Sequence, residues 1–347
     1  MKKTLISNII LLFLALPFAY AQKKIKVPTE KDMGAYLMVY FKDADHSLHF
    51  ALSKDGYSFT DVNNGAPVIK GDTIAEQKGI RDPYIYRAPD GTFYLALTDL
   101  HIYAQKEGYR TTLWERDVEK YGWGNNRGIV LMKSKDLIHW THTVLRVDKA
   151  FPELADIGCA WAPELIYDEV KKKTMMYFTI HFGKEKCKVY YTYMNKDFTA
   201  METLPKPIFD HPGGTEYIDA DITKVGNKYH MMYALHDGGS HVEQAVSDSV
   251  NTGYVSIPKR VDAEKVGDEA PTVYKLIGQD KWILVYDIYR INPHNFGFSE
   301  TTDFVNFTNL GHFNEGVMKA TNFSIPKHPG IIQITKKEAQ KLATIGK

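Results

Sequence analysis

The chain has 347 residues, with 43 Lys plus Arg against 42 Asp plus Glu and 13% aromatic residues. A balance this near neutral excludes the basic surface that nucleic acid or an anionic membrane demands of a partner. Two cysteines, Cys159 and Cys187, could pair in an oxidising compartment, but a chain this long needs no staple, and two buried thiols are the favoured reading.

At the N-terminus Lys2 and Lys3 precede an apolar run, Ile9 to Phe18, and Ala19-Tyr20-Ala21 forms a small-x-small cleavage site. This is the pattern of a signal peptide over 1–21. The run, bounded by Ser7 and Asn8 and interrupted by Pro17, falls short of the roughly 20 apolar residues of a membrane span. An exported protein, periplasmic or secreted, is expected, with a single domain over 22–347 and no membrane insertion after cleavage.

Beyond that segment one unit repeats. AYLMVYF from Ala35 reads as a strand, and LHFALSKDGYSF from Leu48 as strand, turn, strand. RDPYIYRAPDGTFYLALT, Arg81 to Thr98, reads as a hairpin, with Pro83 at a strand opening and Pro89-Asp90-Gly91 as the turn. The excursion from His101 to Asn126 is too long for a link between neighbouring strands, and its Trp114 and Trp123 suit the rim of a site. GIVLMKSKDLIHWTHT from Gly128 then completes the unit.

The hairpin recurs at Ala162-Pro163 with TMMYFTI, at Asp219-Ala220 with KYHMMYAL, and at Ala270-Pro271 with KWILVYDIY. Two-strand tails follow from Val189, Val242 and Phe296. His328 to Ile334 supplies the opening strand that the first unit lacks, and Lys336 to Ala343 is the one helical stretch. Five such four-stranded antiparallel units predict an all-β, five-bladed β-propeller, its ring closed by pairing of the N- and C-terminal segments.

In a propeller the inner strands open at one face around the axis, so aligned residues converge. Asp82, Asp219 and His328 align, with Glu269 and Trp161 one residue further out. Three carboxylates at one point are costly to bury without a purpose, which predicts a catalytic cluster. The second strands return to the same face, so Asp99, His101, His181, His236 and Asp287, with nearby Arg290, are expected to line a pocket. Trp161, Tyr217 and Trp123 offer faces for sugar rings. His236, His241 and Glu243 lack the spacing of a catalytic metal set.

RDPYI at Asp82, WAPELIYD at Trp161, IDADI at Asp219 and DEAPTVYKL at Glu269 resemble glycoside hydrolase family 43, five-bladed propellers that cleave arabinose- or xylose-containing glycans. The resemblance implies Asp82 as general base, Asp219 as the residue that orients the acid and modulates its pKa, and Glu269 as general acid. An Ala, Ala220, stands where the family often has proline after the second Asp, and Asp221, expected on the same strand face as Asp219, is the reserve candidate. Trp161, Glu164, Tyr217, Asp221, His236 and Arg290 are the expected substrate-binding residues. His328 is expected in the channel, either positioning Asp82 or holding a cation through water, and the resemblance implies Ca2+ or Na+ there. No cofactor is expected for the chemistry itself.

An inverting glycosidase needs one protonated carboxyl for the leaving oxygen and one carboxylate to activate water on the opposite face, the pair spaced to admit that water. A third carboxylate beside the acid raises its pKa. These expectations describe a monomeric, exo-acting enzyme that removes arabinofuranosyl or xylosyl residues from plant-type oligo- or polysaccharides. A retaining fructan-type glycosidase and a non-catalytic sugar-binding propeller stay open as alternatives.

Overall fold

The computed structural model describes residues 27–109 and 116–346, so the signal segment and Trp114 lie outside the described residues. The strands fall into five sheets, antiparallel but for one outer-edge strand, and these are the blades of a propeller. From the inner strand outward, blade 2 holds Ile80–Arg87, Phe93–Asp99, Gly128–Ser134 and Thr141–Arg146. Blade 3 holds Ile157–Asp168, Lys173–Phe182, Lys188–Tyr193 and Lys206–Pro207; blade 4 holds Glu216–Val225, Lys228–His236, Ser240–Ser247 and Val255–Ile257. Blade 5 holds Glu269–Lys275, Trp282–Ile288, Asn295–Thr301 and Thr308–His312.

Blade 1 closes the ring. Its inner strand, Lys327–Thr335, pairs antiparallel with Met33–Phe41, with Leu37 opposite Ile332. His49–Ser53 and Ser58–Asp61 follow outward, and a fifth strand, Lys319–Ala320, lies parallel on the outer edge. That addition was not legible in the repeat. It is held by Asn322, which accepts a hydrogen bond from the Asp61 backbone N–H at 2.7 Å and donates to the Asp61 carbonyl at 3.0 Å.

The second strands are packed on both faces, which is why TMMYFTI and WILVYDI are continuous apolar runs rather than alternating ones. Alternation along Met33–Phe41 divides the core instead. Leu37, Val39 and Phe41 pack toward blade 2 with Ile85, Leu95 and Val130, whereas Tyr36, Met38 and Tyr40 pack toward blade 5 with Val285, Phe296 and Phe298. Separate clusters fill the other blade interfaces, so the core is a ring of wedges around the axis.

Each inner strand carries a bulge at the same place. Pairing in blade 2 runs Arg81 to Thr98 and resumes at Tyr84 to Ala96, leaving Asp82 and Pro83 against a single residue. Matching breaks occur at Ala162-Pro163, Asp219-Ala220, Ala270-Pro271 and His328-Pro329. The first residue of each bulge is left-handed: φ is 50° at Asp82, 46° at Ala162, 51° at Asp219, 55° at Ala270 and 42° at His328. Proline suits the second position, where the interrupted ladder asks for no N–H.

The short helix Lys336–Leu342 ends the chain. Thr335 and Glu338 form a reciprocal capping box at its start, and both Glu338 oxygens also accept from Arg87 of blade 2, at 2.9 and 2.7 Å.

Candidate active site

The bulges build the site in layers. Outermost are Arg81, Trp161, Ile218, Glu269 and Lys327; next come the bulge residues Asp82, Ala162, Asp219, Ala270 and His328; beneath them, where pairing resumes, lie Tyr84, Glu164, Asp221, Thr272 and Gly330. A pocket of about 440 Å³ opens over the first two layers and is lined by Asp82, Asp219, Glu269, Trp161, Trp123 and His236 among others. A larger groove, about 1100 Å³, runs along the outer edge of blade 1 beside the C-terminal helix, and none of the three carboxyls lines it.

Asp82 is clamped. Thr98 donates from Oγ1 to its Oδ2 at 2.7 Å, the Ala162 N–H donates to Thr98 Oγ1 at 2.8 Å, and His328 Nδ1 lies 3.3 Å from Asp82 Oδ1. Burial works against its ionisation, but the hydrogen bond and charge of His328, with help from Arg81 and Thr98, bring its pKa down to about 2. Glu269 is in the opposite condition. Burial pushes it up to about 7; Lys327 opposes the rise, and Asp219 and Asp287 add to it. Asp219 is itself pushed up to about 6, by burial first, with His328 opposing and Asp82 adding. For Glu269 burial is the larger cause, and the like charge of Asp219 is a lesser contribution in the same direction.

Supporting charges fix this set. Lys327 Nζ pairs with Asp287 Oδ2 at 2.9 Å, and Arg81 Nη1 donates to Asp43 at 2.7 Å. Neither Lys327 nor Arg81 was singled out from sequence, yet both occupy the repeat column of Glu269 and Trp161, and reading that column through all five units finds them. His236 reaches the pocket, its Nδ1 3.2 Å from Glu216 Oε1, another pocket residue that sequence reasoning missed.

Several expected pocket residues lie elsewhere. Tyr217 is 0% exposed and packs against Phe209 and Tyr233 between blades, its hydroxyl donating to the Phe209 carbonyl, so it cannot stack on a sugar. Glu164 and Asp221, each 1% exposed, sit in the layer beneath the pocket. Strand alternation alone would have kept Asp221 beside Asp219; the bulge between Ile218 and Asp221 moves it down. There Tyr177 donates to Glu164 at 2.9 Å and the Val273 N–H to Asp221 at 2.9 Å. Burial pushes Asp221 up to about 7 and raises Glu164 as well, Asp221 adding to the latter.

Arg290 is exposed beside the ring of Tyr289, outside the pocket lining. Asp99 is fully buried and accepts from the Glu76 and Gln77 N–H groups at 3.0 and 2.8 Å, and His101 stacks on His46 with centroids 4.0 Å apart. Asp99 therefore holds the segment leading into blade 2, His101 packs on the blade 1 loop, and neither is in the pocket lining.

His328 is buried, with Nε2 lacking a protein partner among the described residues. The resemblance implies Ca2+ or Na+ held through water, and the surroundings of the ring do not suit its direct ligation to such a cation. Burial opposes protonation of the ring, but Asp82, Asp219 and Asp287 raise its pKa, and Lys327 and Arg81 bring further positive charge to the adjoining layer. Calcium needs about six to eight oxygen donors.

A family model described as "Probable glycosyl hydrolase domain", of the family-43-related kind, matches residues 31–340. Among solved structures, an endo-1,4-β-xylanase from Bacteroides thetaiotaomicron is similar at a TM-score of 0.57 and 13% identity, over 80% of this chain and 90% of that one. The family-43 protein BlXynB of Bacillus licheniformis is similar at 0.53 and 15% identity, over 88% of this chain and 57% of that one, so this chain spans little more than half of its length. An exo-1,5-α-L-arabinanase from a bovine ruminal metagenomic library is similar at 0.51 and 17% identity, over 80% and 93%. No curated protein matches the chain. The solved structures share the propeller architecture; the family match, which takes in all five blades, decides membership, and the chain belongs to the family-43-related glycosyl hydrolases.

Proposed function

We propose that this family-43-type glycoside hydrolase is an inverting, exo-acting enzyme that removes arabinofuranosyl or xylosyl residues from plant-type glycans. The observation that carries the reading is the contrast between two carboxyls lining one pocket: Asp82 is held ionised by His328, Thr98 and Arg81, while burial keeps Glu269 protonated up to about 7. One is suited to take a proton from water, the other to give one to the leaving oxygen. In this reading Asp219 holds Glu269 in its protonated form, and His328 positions Asp82. The small pocket, with Trp123 and Trp161 on its lining, suits one terminal pentose better than a long chain segment.

The reaction runs on these side chains. Asp82 Oδ1 or Oδ2 takes a proton from water as the water oxygen bonds to the anomeric carbon; the glycosidic C–O bond breaks and Glu269 protonates the departing oxygen. Both protons are accounted for, leaving Asp82 protonated and Glu269 ionised until they exchange with solvent.

The test is hydrolysis of aryl α-L-arabinofuranosides, β-xylosides and natural oligosaccharides, with the first-formed anomer identified by NMR. Glu269→Gln should lower kcat/KM by about 10²–10⁴-fold on natural leaving groups and far less on activated aryl ones. Asp82→Asn should lose both. A first-formed anomer of retained configuration, or equal losses for both leaving groups in Glu269→Gln, would reject the assignment.

A further inference from the structure

Three donors that the hydrolytic reaction does not use meet at the edge of the pocket. Cys159, His181 and Cys187 come from the first, second and the entry to the third strand of blade 3, and one ligand atom of each lies within 4.8 Å of the others. Cys159 stands directly opposite His181 in the strand register, and all three are buried, Cys159 completely. Neither cysteine is in a disulfide.

The imidazole is prepared as a ligand. His181 Nδ1 is 2.8 Å from the Gly183 carbonyl oxygen, which can only accept, so Nδ1 carries the hydrogen and the Nε2 lone pair is left for another partner. Trp161 packs edge-on against the ring at 5.8 Å. Gly158, at the break in pairing beside Cys159, makes room: a Cβ there would lie 1.9 Å from His181 Cε1 and 2.3 Å from Nδ1.

We propose that Cys159, His181 and Cys187 form a binding site for a soft divalent cation, Zn2+ by its donor set, at the rim of the sugar pocket. Two thiolates and one imidazole are zinc ligands, whereas Ca2+ and Mg2+ require oxygen. Bond lengths of about 2.0–2.3 Å place tetrahedral ligands about 3.5–3.8 Å apart, so donors within 4.8 Å of one another need to close by at most about 1.0–1.3 Å. Binding releases the thiol protons to solvent and weakens as pH falls. Three protein ligands leave a fourth position. His181 and Cys187 both line the pocket, so that position is reached from the pocket side, by water, by a sugar hydroxyl, or by Glu216, whose Oε2 already accepts from the Cys187 N–H at 2.9 Å. The proposal does not depend on the sugar specificity or on the stereochemistry of hydrolysis.

The full chain, purified with a non-thiol reductant and stripped with chelator, is titrated with Co2+. The expected result is about one equivalent bound, with the intense visible d–d bands of a tetrahedral site and a thiolate-to-cobalt charge-transfer band, both abolished by Zn2+. Cys187→Ser, which leaves one thiolate, should cut the charge-transfer intensity by about half, and His181→Gln should weaken binding by about tenfold or more while both thiols remain. Should Cys187→Ser not fold, the wild type and His181→Gln decide. No cobalt spectrum, with both thiols titratable after denaturation, would overturn the proposal and leave two plain buried thiols. No spectrum, with no titratable thiol and a mass lower by two hydrogens, would overturn it in favour of a Cys159–Cys187 disulfide.

Discussion

At the scale of single residues, the site is a lesson in how two carboxyls of similar intrinsic acidity are driven apart. Asp82 meets a histidine and a hydroxyl that favour its charge; Glu269 meets burial and two further carboxyls that do not. In the proposed reaction His328 is the positioning residue on which the first half depends. Replacing it, as His328→Asn, removes both the hydrogen bond and the charge that hold Asp82 near 2, so the acid limb of the kcat/KM profile should move to higher pH. The alkaline limb, set by Glu269 near 7, should stay in place. A profile that merely loses height, with both limbs unmoved, would show that His328 acts only through packing. Asp82, Asp219 and Glu269 were legible as sequence because the repeat aligns them. Tyr217 was not legible as a core residue, because an aromatic side chain near a strand opening reads the same whether it faces a pocket or a neighbouring blade.

At the scale of elements, the recurring bulge aims the side chains. A non-glycine residue held at positive φ costs about 1–3 kcal/mol, and five blades accept that cost at the same position. Two of those positions are alanine, the smallest side chain that still has a Cβ. Ala270, next to Glu269, tests the idea: Ala270→Val should destabilise by at least about 1–3 kcal/mol, since a β-branched side chain fits poorly at φ 55°. Ala270→Gly, free of that restriction, should lose little, as measured by chemical denaturation. Equal losses for both variants would place the cost in the buried methyl rather than in the backbone. The bulge also explains the error over Asp221. Simple alternation predicts one face for residues two apart, and an inserted residue breaks it.

At the scale of the whole molecule, burial of so many acidic groups along one axis ties stability to pH. Asp221 and Glu269 titrate near 7 and Asp219 near 6 in the folded chain, well above the roughly 4 expected when unfolded. Folded chains therefore bind more protons than unfolded ones in that window, and stability falls as pH rises through it. Asp82 has the opposite sign: its contribution is present above about 4 and is lost as pH falls toward 2. Tm should accordingly be highest on the acid side of neutrality and decline by a few degrees between about pH 5 and pH 8. Asp221→Asn, which removes one raised carboxyl beneath the pocket, should flatten that decline; an unchanged slope would assign it to other groups.

By itself the sequence determined the architecture and which three carboxyls share the pocket. Period-two patterning, proline at strand openings and five recurrences of one unit leave few folds that bury the apolar runs, and alignment of the units places Asp82, Asp219 and Glu269 together. The tertiary structure decided what each residue faces. Depth along the axis depends on the bulge, which dropped Glu164 and Asp221 below the pocket; partners depend on neighbouring blades, which gave Asp82 its histidine from the far end of the chain. Cys159, His181 and Cys187 meet because three strands of one blade lie side by side, a contact set by pairing register rather than by any spacing readable along the chain.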